Sequence, residues 1–303
     1  MTLQQISDFL ATVDHGSLHA AARATGQAQP ALSRSLRRLE ADLGAPMFER
    51  HAAGMRVTAF GQRFAVHARR VVQEADQARD AVAQLRGAAG GRVRYGISVA
   101  PSLMLAPGAI ARFRRRFPDV TLLCRSGLYH TLSAALREGE LDFLICPLPA
   151  LPADPALQAR TLLVSEMALL ARRDHPRARV RSLKALRQER FVVGAPAGQP
   201  GAGIFEAFAR AGLGTPQVEL QTDGLIDTLA MAAGSDCLAM LPAALLRHGL
   251  VRECLVRLPV EEDLPRYTVA LLTRRDGSLT PAAQELATQF EREAAYLGGR
   301  PTV

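Results

Sequence analysis

The run Gln29-Pro30-Ala31-Leu32-Ser33-Arg34-Ser35-Leu36-Arg37-Arg38-Leu39-Glu40-Ala41-Asp42-Leu43-Gly44 decides how the first part of this chain folds. Leu32, Leu36, Leu39 and Leu43 recur at i, i+4, i+7 and i+11, which on a helix makes one apolar face. Gln29, Ser33, Arg34, Arg37 and Arg38 lie largely off that face. Pro30 fits a first turn, where its missing N–H has no intrahelical partner, and Gly44 ends the helix. Upstream, Ser17 is a ready N-cap for a short alanine-rich helix that Gly26 closes. Its small side chains let a neighbour approach closely. Before it, Leu3, Ile6, Phe9, Leu10 and Val13 make another stripe, stopped at His15-Gly16. Two helices joined by a short turn with a glycine read as a helix-turn-helix. Downstream, residues 47–58 read as two short strands around Ala52-Ala53-Gly54, a wing.

From Thr58 the pattern changes. Phe64, Ala68, Val71, Ala75, Ala78, Val82 and Leu85 are spaced 4, 3, 4, 3, 4, 3, an a/d repeat over about three heptads. A helix this long with so narrow a seam wants a partner helix, so these seven residues are the candidate dimerisation seam. Gly87-Ala88-Ala89-Gly90-Gly91 follows as a hinge. Beyond it, buried-strand runs at 93–99, 120–124 and 143–146 alternate with helical patterns at 103–117 and 131–138. That alternation predicts βαβ units and a parallel sheet. A second set has strands at 165–171, 191–194, 218–221 and 237–241 and helices at 182–187, 202–212, 225–233 and 243–248. A strand at 267–273 and a helix at 281–297 close the chain. The fold class is α/β overall. A winged helix-turn-helix (1–58) leads into a linker helix and hinge (59–91). A two-subdomain α/β domain (92–303) follows, with subdomain I at about 92–161 and 268–303 and subdomain II at about 162–267. Two sheets with a cleft between them suit small-molecule binding at strand C-termini and helix N-termini.

Composition sets limits on function. The chain is globular, with 303 residues, 48% hydrophobic and 22% charged. Its 37 cations against 29 acids give +8, which favours a polyanionic partner, yet no segment concentrates the excess. Lys184 is the single lysine. No apolar stretch approaches membrane-spanning length and the start lacks a secretory signal, so a cytoplasmic protein without membrane contact is expected. Cys124, Cys146, Cys237 and Cys254 lie far apart, without a CxxC pair, in or beside apolar strands where thiols pack inertly. No HExxH, GxSxG or P-loop pattern occurs. His15 and His19 straddle Gly16 and Ser17 and do not share a helix face. No catalytic residue, metal site or cofactor is therefore expected, and the protein reads as no enzyme.

The motif set Ala21-Ala22, Gln29-Pro30-Ala31-Leu32-Ser33-Arg34, Leu36, Leu39-Glu40, Leu43-Gly44, Met47-Phe48-Glu49-Arg50 and Thr58-Ala59-Phe60-Gly61 strongly resembles the N-terminal module of LysR-type transcriptional regulators. The match is dense over residues 1 to about 90. Beyond them it extends only as architecture, to an effector domain of the periplasmic-binding-protein type. One position departs: Ala28 stands where the family usually has Ser or Thr. That removes an N-cap oxygen and a possible phosphate contact, about 1 kcal/mol of helix stability. The resemblance implies a sequence-specific, DNA-binding transcriptional regulator controlled by a small anionic effector. Its implied partners are double-stranded DNA at an interrupted inverted repeat, a second copy in a homodimer and a tetramer built on it, and RNA polymerase. A cytosolic solute-binding protein of periplasmic-binding-protein type, without a gene-regulatory role, is the alternative reading of residues 92–303. The signal-free start and the heptad helix argue against it.

A recognition helix must turn a few polar side chains away from its core face. Gln29, Ser33, Arg34 and Arg37 do so; Gln pairs with adenine, Arg with guanine and Ser with either a base edge or phosphate. Pro30 and Arg38 complete the helix's candidate contacts, and Arg50 and Arg56 flank the wing as phosphate contacts. By resemblance the effector lies at the ends of the first strand of each subdomain and at the crossovers. That points to Ser98, Ala100 and Ser102, where a strand turns into a helix N-terminus suited to an anion. Gly198 and Gln199 lie in a glycine-rich loop opposite, while Tyr129, His130, Thr131 and Thr222 close the pocket.

Overall fold

The computed structural model describes residues 1–51, 54–87, 90–149, 154–198 and 201–298. It separates into two compact units, Met1–Ala88 with Arg137–Leu141, and Ala89–Leu136 with Asp142–Val303.

The first unit opens with α1 (Leu3–His15), α2 (Leu18–Thr25) and α3 (Gln29–Leu43). Each stops at a left-handed glycine, Gly16, Gly26 and Gly44, at φ of 67°, 67° and 66°. A capping box between Thr2 and Gln5 starts α1, and the Ser17 hydroxyl accepts from the Ala20 N–H at the start of α2. Ala28 caps α3 without a side-chain hydrogen bond, as its identity dictates, and Pro30 sits in the first turn. The strands β1 (Phe48–His51) and β2 (Gly54–Val57) pair antiparallel, with Glu49 opposite Arg56. Ala52 and Ala53, at the expected wing tip, lie outside the described residues.

Helix α4 (Ala59–Leu85) follows, capped by the Thr58 hydroxyl, which accepts from Gly61 N–H. A Cβ at Gly61 would drive into the Met47 carbonyl oxygen, so glycine is what lets this helix seat against the chain leading into the wing. Ile6, Phe9, Leu10, Leu36, Leu39, Met47, Ala65 and Ala68 form the core. The Phe9 ring lies 5.3 Å from Phe48 and 5.1 Å from Phe64. The buried face of α3 ends at Leu39: Leu43, expected on it, is exposed.

In the second unit the elements run β3 (Arg92–Ile97), α5 (Val99–Arg114), β4 (Thr121–Ser126), α6 (Tyr129–Arg137) and β5 (Phe143–Pro147). They continue through β6 (Leu157–Arg172), β7 (Arg190–Val193), α7 (Gly203–Arg210), β8 (Gln217–Gln221), α8 (Leu225–Gly234) and β9 (Leu238–Pro242). Helix α9 (Gly249–Cys254), β10 (Leu255–Arg257), β11 (Arg266–Arg274) and α10 (Pro281–Gly298) finish the unit. The expected helices at 182–187 and 243–248 are 3-10 turns, Leu183–Leu186 and Ala243–Arg247.

The two sheets expected from the sequence are one continuous path, β4-β3-β5-β11-β6-β9-β7-β8, with β10 on β6. The 16-residue β6 joins them. Its first part pairs with β11, from Leu157 opposite Arg274 to Glu166 opposite Arg266, and Met167–Leu170 then pairs with β9. Two lobes result, each with its own core. One is built on Val93, Ile97, Phe113, Phe143 and Phe290, the other on Leu169, Phe191, Phe208 and Leu238. The strands β3, β4 and β5 at one end of the sheet, and likewise β7, β8 and β9 at the other, run parallel, as the alternation predicts.

Candidate functional site

In the first unit α3 buries Leu32, Leu36 and Leu39 and leaves Gln29, Pro30, Arg34, Arg37 and Arg38 exposed, with Ser33 half-buried. The Arg37 Nε donates to the Ser33 carbonyl at 3.3 Å, which lays that side chain back along the helix. Arg34 and Arg38, four residues apart, line a hollow of about 360 Å³ with Thr2, Gln4, Gln5, Ala31 and Ser35. The hollow lies at the N-terminus of α1, so two guanidinium groups and a positive dipole end converge there. Arg56 lies 3.9 Å from Glu49 across the wing, both exposed, a pair of small energy in water. Arg50 holds its expected place on β1, opposite Met55; its side chain lies outside the described residues.

Sequence reasoning missed two carboxylates that hold this head together. Asp8, 1% exposed, accepts from Gln4 Nε2 at 2.9 Å and Gln27 Nε2 at 2.7 Å, tying α1 to the turn before α3. Glu40 Oε1 accepts from the Met47 and Phe48 N–H groups at 2.7 and 3.3 Å, tying α3 to the wing. Asp8 carries no local signal because its main partner is 19 residues away.

The seam residues divide. Phe64 and Ala68 are used in the head's own core, against Phe9 and its neighbours, so they do not belong to a partner-facing seam. Val71, Ala78, Val82 and Leu85 are exposed and Ala75 is half-buried.

In the second unit a cavity of about 220 Å³ lies between the lobes. Ser98, Ala100, Tyr129 and His130, four of the candidate effector residues, line it. Ser102 does not: α5 begins at Val99 with Ser98 as its cap residue, because Pro101 is at home in a first turn, and Ser102 is carried into the next. Thr131 and Thr222 instead line an open groove outside, which shares Gly127, Leu128, His130 and Asp223 with the cavity. The Thr222 hydroxyl is already engaged, accepting from Gly224 N–H at 3.0 Å and donating to Asp227 Oδ2 at 3.2 Å. Gly198 lines neither, and Gln199 lies outside the described residues.

Most of the remaining wall is apolar: Val99 and Leu128 belong to the stretches the sequence pointed to, whereas Pro147, Met167, Met240 and Pro242 were not foreseen. Pro147 and Pro242 end β5 and β9, so the strand-C-terminus rule was the signal that finds them. Tyr267 on β11 also faces in; burial pushes its phenol up to about 12, with Glu206 adding to the shift, so it stays a neutral hydroxyl. No Arg or Lys lines the cavity among the described residues. The anionic effector expected from helix N-termini therefore has no cation to meet it. The thiols are corrected too: Cys146 and Cys237 are buried as expected, but Cys124 and Cys254 are exposed.

A bacterial regulatory helix-turn-helix profile of the lysR family matches residues 3–62, and the LysR substrate binding domain matches residues 86–295. The chain belongs to the LysR family. The HTH-type transcriptional regulator CbbR of Xanthobacter flavus is 30% identical over 97% of this chain and 88% of its own length. An SDS degradation transcriptional activation protein from a Pseudomonas species is 28% identical over 94% of each. The crystal structure of full-length CbnR complexed with target DNA covers 97% of this chain and all of its own, at a TM-score of 0.72 and 20% identity, a likeness of fold. As a LysR-type protein the chain is a DNA-binding transcriptional regulator with an effector-binding domain, and its relatives are regulators, not enzymes. The solute-binding alternative falls, because the helix-turn-helix match stands beside the substrate-domain match on one chain. Among the described residues no helix is long and apolar enough to cross a membrane.

Proposed function

We propose that the protein works as a homodimer, extended to a tetramer, that reads an interrupted inverted repeat in duplex DNA. The observation that carries this is the exposed row on α3 opposite its leucines. Gln29, Ser33, Arg34 and Arg37 read base edges. Arg38, Arg50 and Arg56 hold phosphates, Arg38 with the help of the positive end of α1, and Pro30 sets the start of the helix against the groove. The dimer forms through Val71, Ala75, Ala78, Val82 and Leu85, which leave an apolar stripe on α4 that the head does not cover. Residues 1–58, 59–91 and 92–303 divide the labour into reading, pairing and sensing. DNA places the regulator in the cytoplasm, and RNA polymerase is the partner its promoter-bound form meets. A small molecule in the cavity between the lobes favours one closure of β6 and β11 against the rest of the domain and so biases the DNA-bound state.

Selection of duplexes from a random pool by the full chain tests the reading. It should return two half-sites in inverted orientation; enrichment of a single unpaired half-site would refute the dimeric mode.

A further inference from the structure

Four helices begin around the cavity, and their first turns differ in what they offer a ligand. At α5 the cap side chain of Ser98 makes no capping hydrogen bond, and Pro101 removes one of the N–H groups that a helix start normally presents to an anion. At α8 the first turn already holds its own carboxylate, Asp227, with Asp223 just ahead of it. The first turn of α7 carries Glu206. Only α5 and α6 start without an acid, and the residue before α6, Leu128, contributes an apolar wall.

Of the carboxylate, guanidinium and amine side chains, only a carboxylate lines the cavity, and the imidazole of His130 stands beside it. Asp223 lines it, is exposed, and has no hydrogen-bond or ion-pair partner among the described residues. No Arg or Lys joins it there, and residues 150–153, 199 and 200 include none. Against this, Ser98 is a buried residue that lines the cavity, and its side chain makes no hydrogen bond among the described residues, which leaves one to offer whatever enters. Tyr267, with a neutral phenol, is a second polar residue on the wall. The volume of about 220 Å³ lies below that of drug-sized sites.

We propose that this cavity takes a compact, uncharged, largely apolar compound bearing a hydroxyl or carbonyl oxygen, and turns away the matching carboxylate. This rests on the cavity being the effector site. The apolar body packs on Val99, Leu128, Met167 and Met240, and the oxygen meets Ser98 and Tyr267. A carboxylate of the same shape would lose its hydration without gaining a cation and would face Asp223.

The test is calorimetric titration of the full chain with cyclohexylmethanol and with cyclohexanecarboxylate, alongside spectra of methyl-labelled methionine that report occupancy at Met167 and Met240. The alcohol should bind more tightly by about tenfold or more and shift both methionines, and Ala100→Phe, which fills the cavity, should abolish its binding. Asp223→Asn should strengthen the carboxylate by about two- to fivefold and leave the alcohol unchanged. A carboxylate that shifts the same methionines and binds as tightly as the alcohol overturns the proposal, as does an Asp223→Asn variant that binds it no better. If neither probe moves Met167 or Met240, the cavity is not the effector site, a different failure. The methionine signals decide between these even where Ala100→Phe does not fold.

Discussion

Asp8 is a carboxylate with almost no solvent contact whose job is to hold two glutamine side chains, Gln4 and Gln27. Asp8→Ala leaves two amide donors unpaired, and we expect the chain's first unfolding transition to weaken by about 1–3 kcal/mol in denaturant titration. Asp8→Asn, which keeps an acceptor oxygen, should lose less. The residues proposed to face DNA stand out in the sequence because they are surface polar groups in a fixed phase against leucines, whereas Asp8 is a polar residue in a buried phase. Reading and positioning separate by mutation. Arg34→Ala should cost about 1–3 kcal/mol on the selected operator and little on random duplex. Arg56→Ala should weaken both alike and reduce the salt slope by about one unit. Equal losses on both duplexes for Arg34→Ala would make it a phosphate contact.

Cys146 offers a pH test, since burial pushes its thiol from 9.0 up to about 12. Unfolded, this thiol ionises above pH 9 while the folded one keeps its proton. Its contribution to stability is therefore whole below pH 9 and falls by about 1.4 kcal/mol per pH unit between there and 12. Cys146→Ala should remove that part of the alkaline loss in denaturant titrations across the same range.

At the scale of elements, α4 shows where a heptad pattern is informative and where it misleads. Spacing alone assigns Phe64 and Ala68 to the same seam as Val82 and Leu85. The first two fall where the head packs on α4, and Phe9 and the wing strand claim them. Periodicity reports that a face is apolar, not which surface covers it. The stripe beyond, with Val71 46%, Val82 58% and Leu85 79% exposed, is what remains for a partner. Val82→Asp should therefore dissociate the dimer in sedimentation, since an unpaired charge in an apolar seam costs several kcal/mol, and leave the head folded. Phe64→Ala should do the reverse, costing about 3–5 kcal/mol of head stability with the association state preserved at temperatures where it still folds. A Val82→Asp protein that sediments as an intact dimer would place the interface on another surface. The short elements were harder to read. Helix α9 and β10 span six and three residues, too few for a period to declare itself, and β10 exists only because β6 offers Leu170–Arg172 as an edge.

For the whole molecule, the sequence declares the two lobes through their alternating strands and helices but not that a single strand threads both. The first half of β6 is largely exposed, with Gln158, Arg160 and Thr161 among its residues, so it lacks the apolar run that marks 165–171. Its place comes from pairing with β11, a partner about a hundred residues further on, and such a pairing leaves no local trace. The cavity was half legible for a related reason: Ser98 and His130 sit at visible strand-to-helix turns, whereas Met167 and Tyr267 arrive from those two crossing strands. The arrangement of two chains on DNA follows from symmetry rather than from any local pattern. Each chain carries one α3, and a two-fold dimer presents its pair to one face of the duplex. Half-site centres must then lie about one helical turn, roughly 10 bp, or a multiple apart. Inserting about five base pairs between the half-sites turns one of them to the opposite face of the duplex. The second head must then twist its linker or let go. We expect binding of the full chain to fall toward that of a single half-site with a five-pair insertion and to recover substantially with ten. Gel-shift titration at fixed salt measures both. Equal affinity at all three spacings would mean that each chain binds alone, and the two-fold pairing through α4 would have to be abandoned.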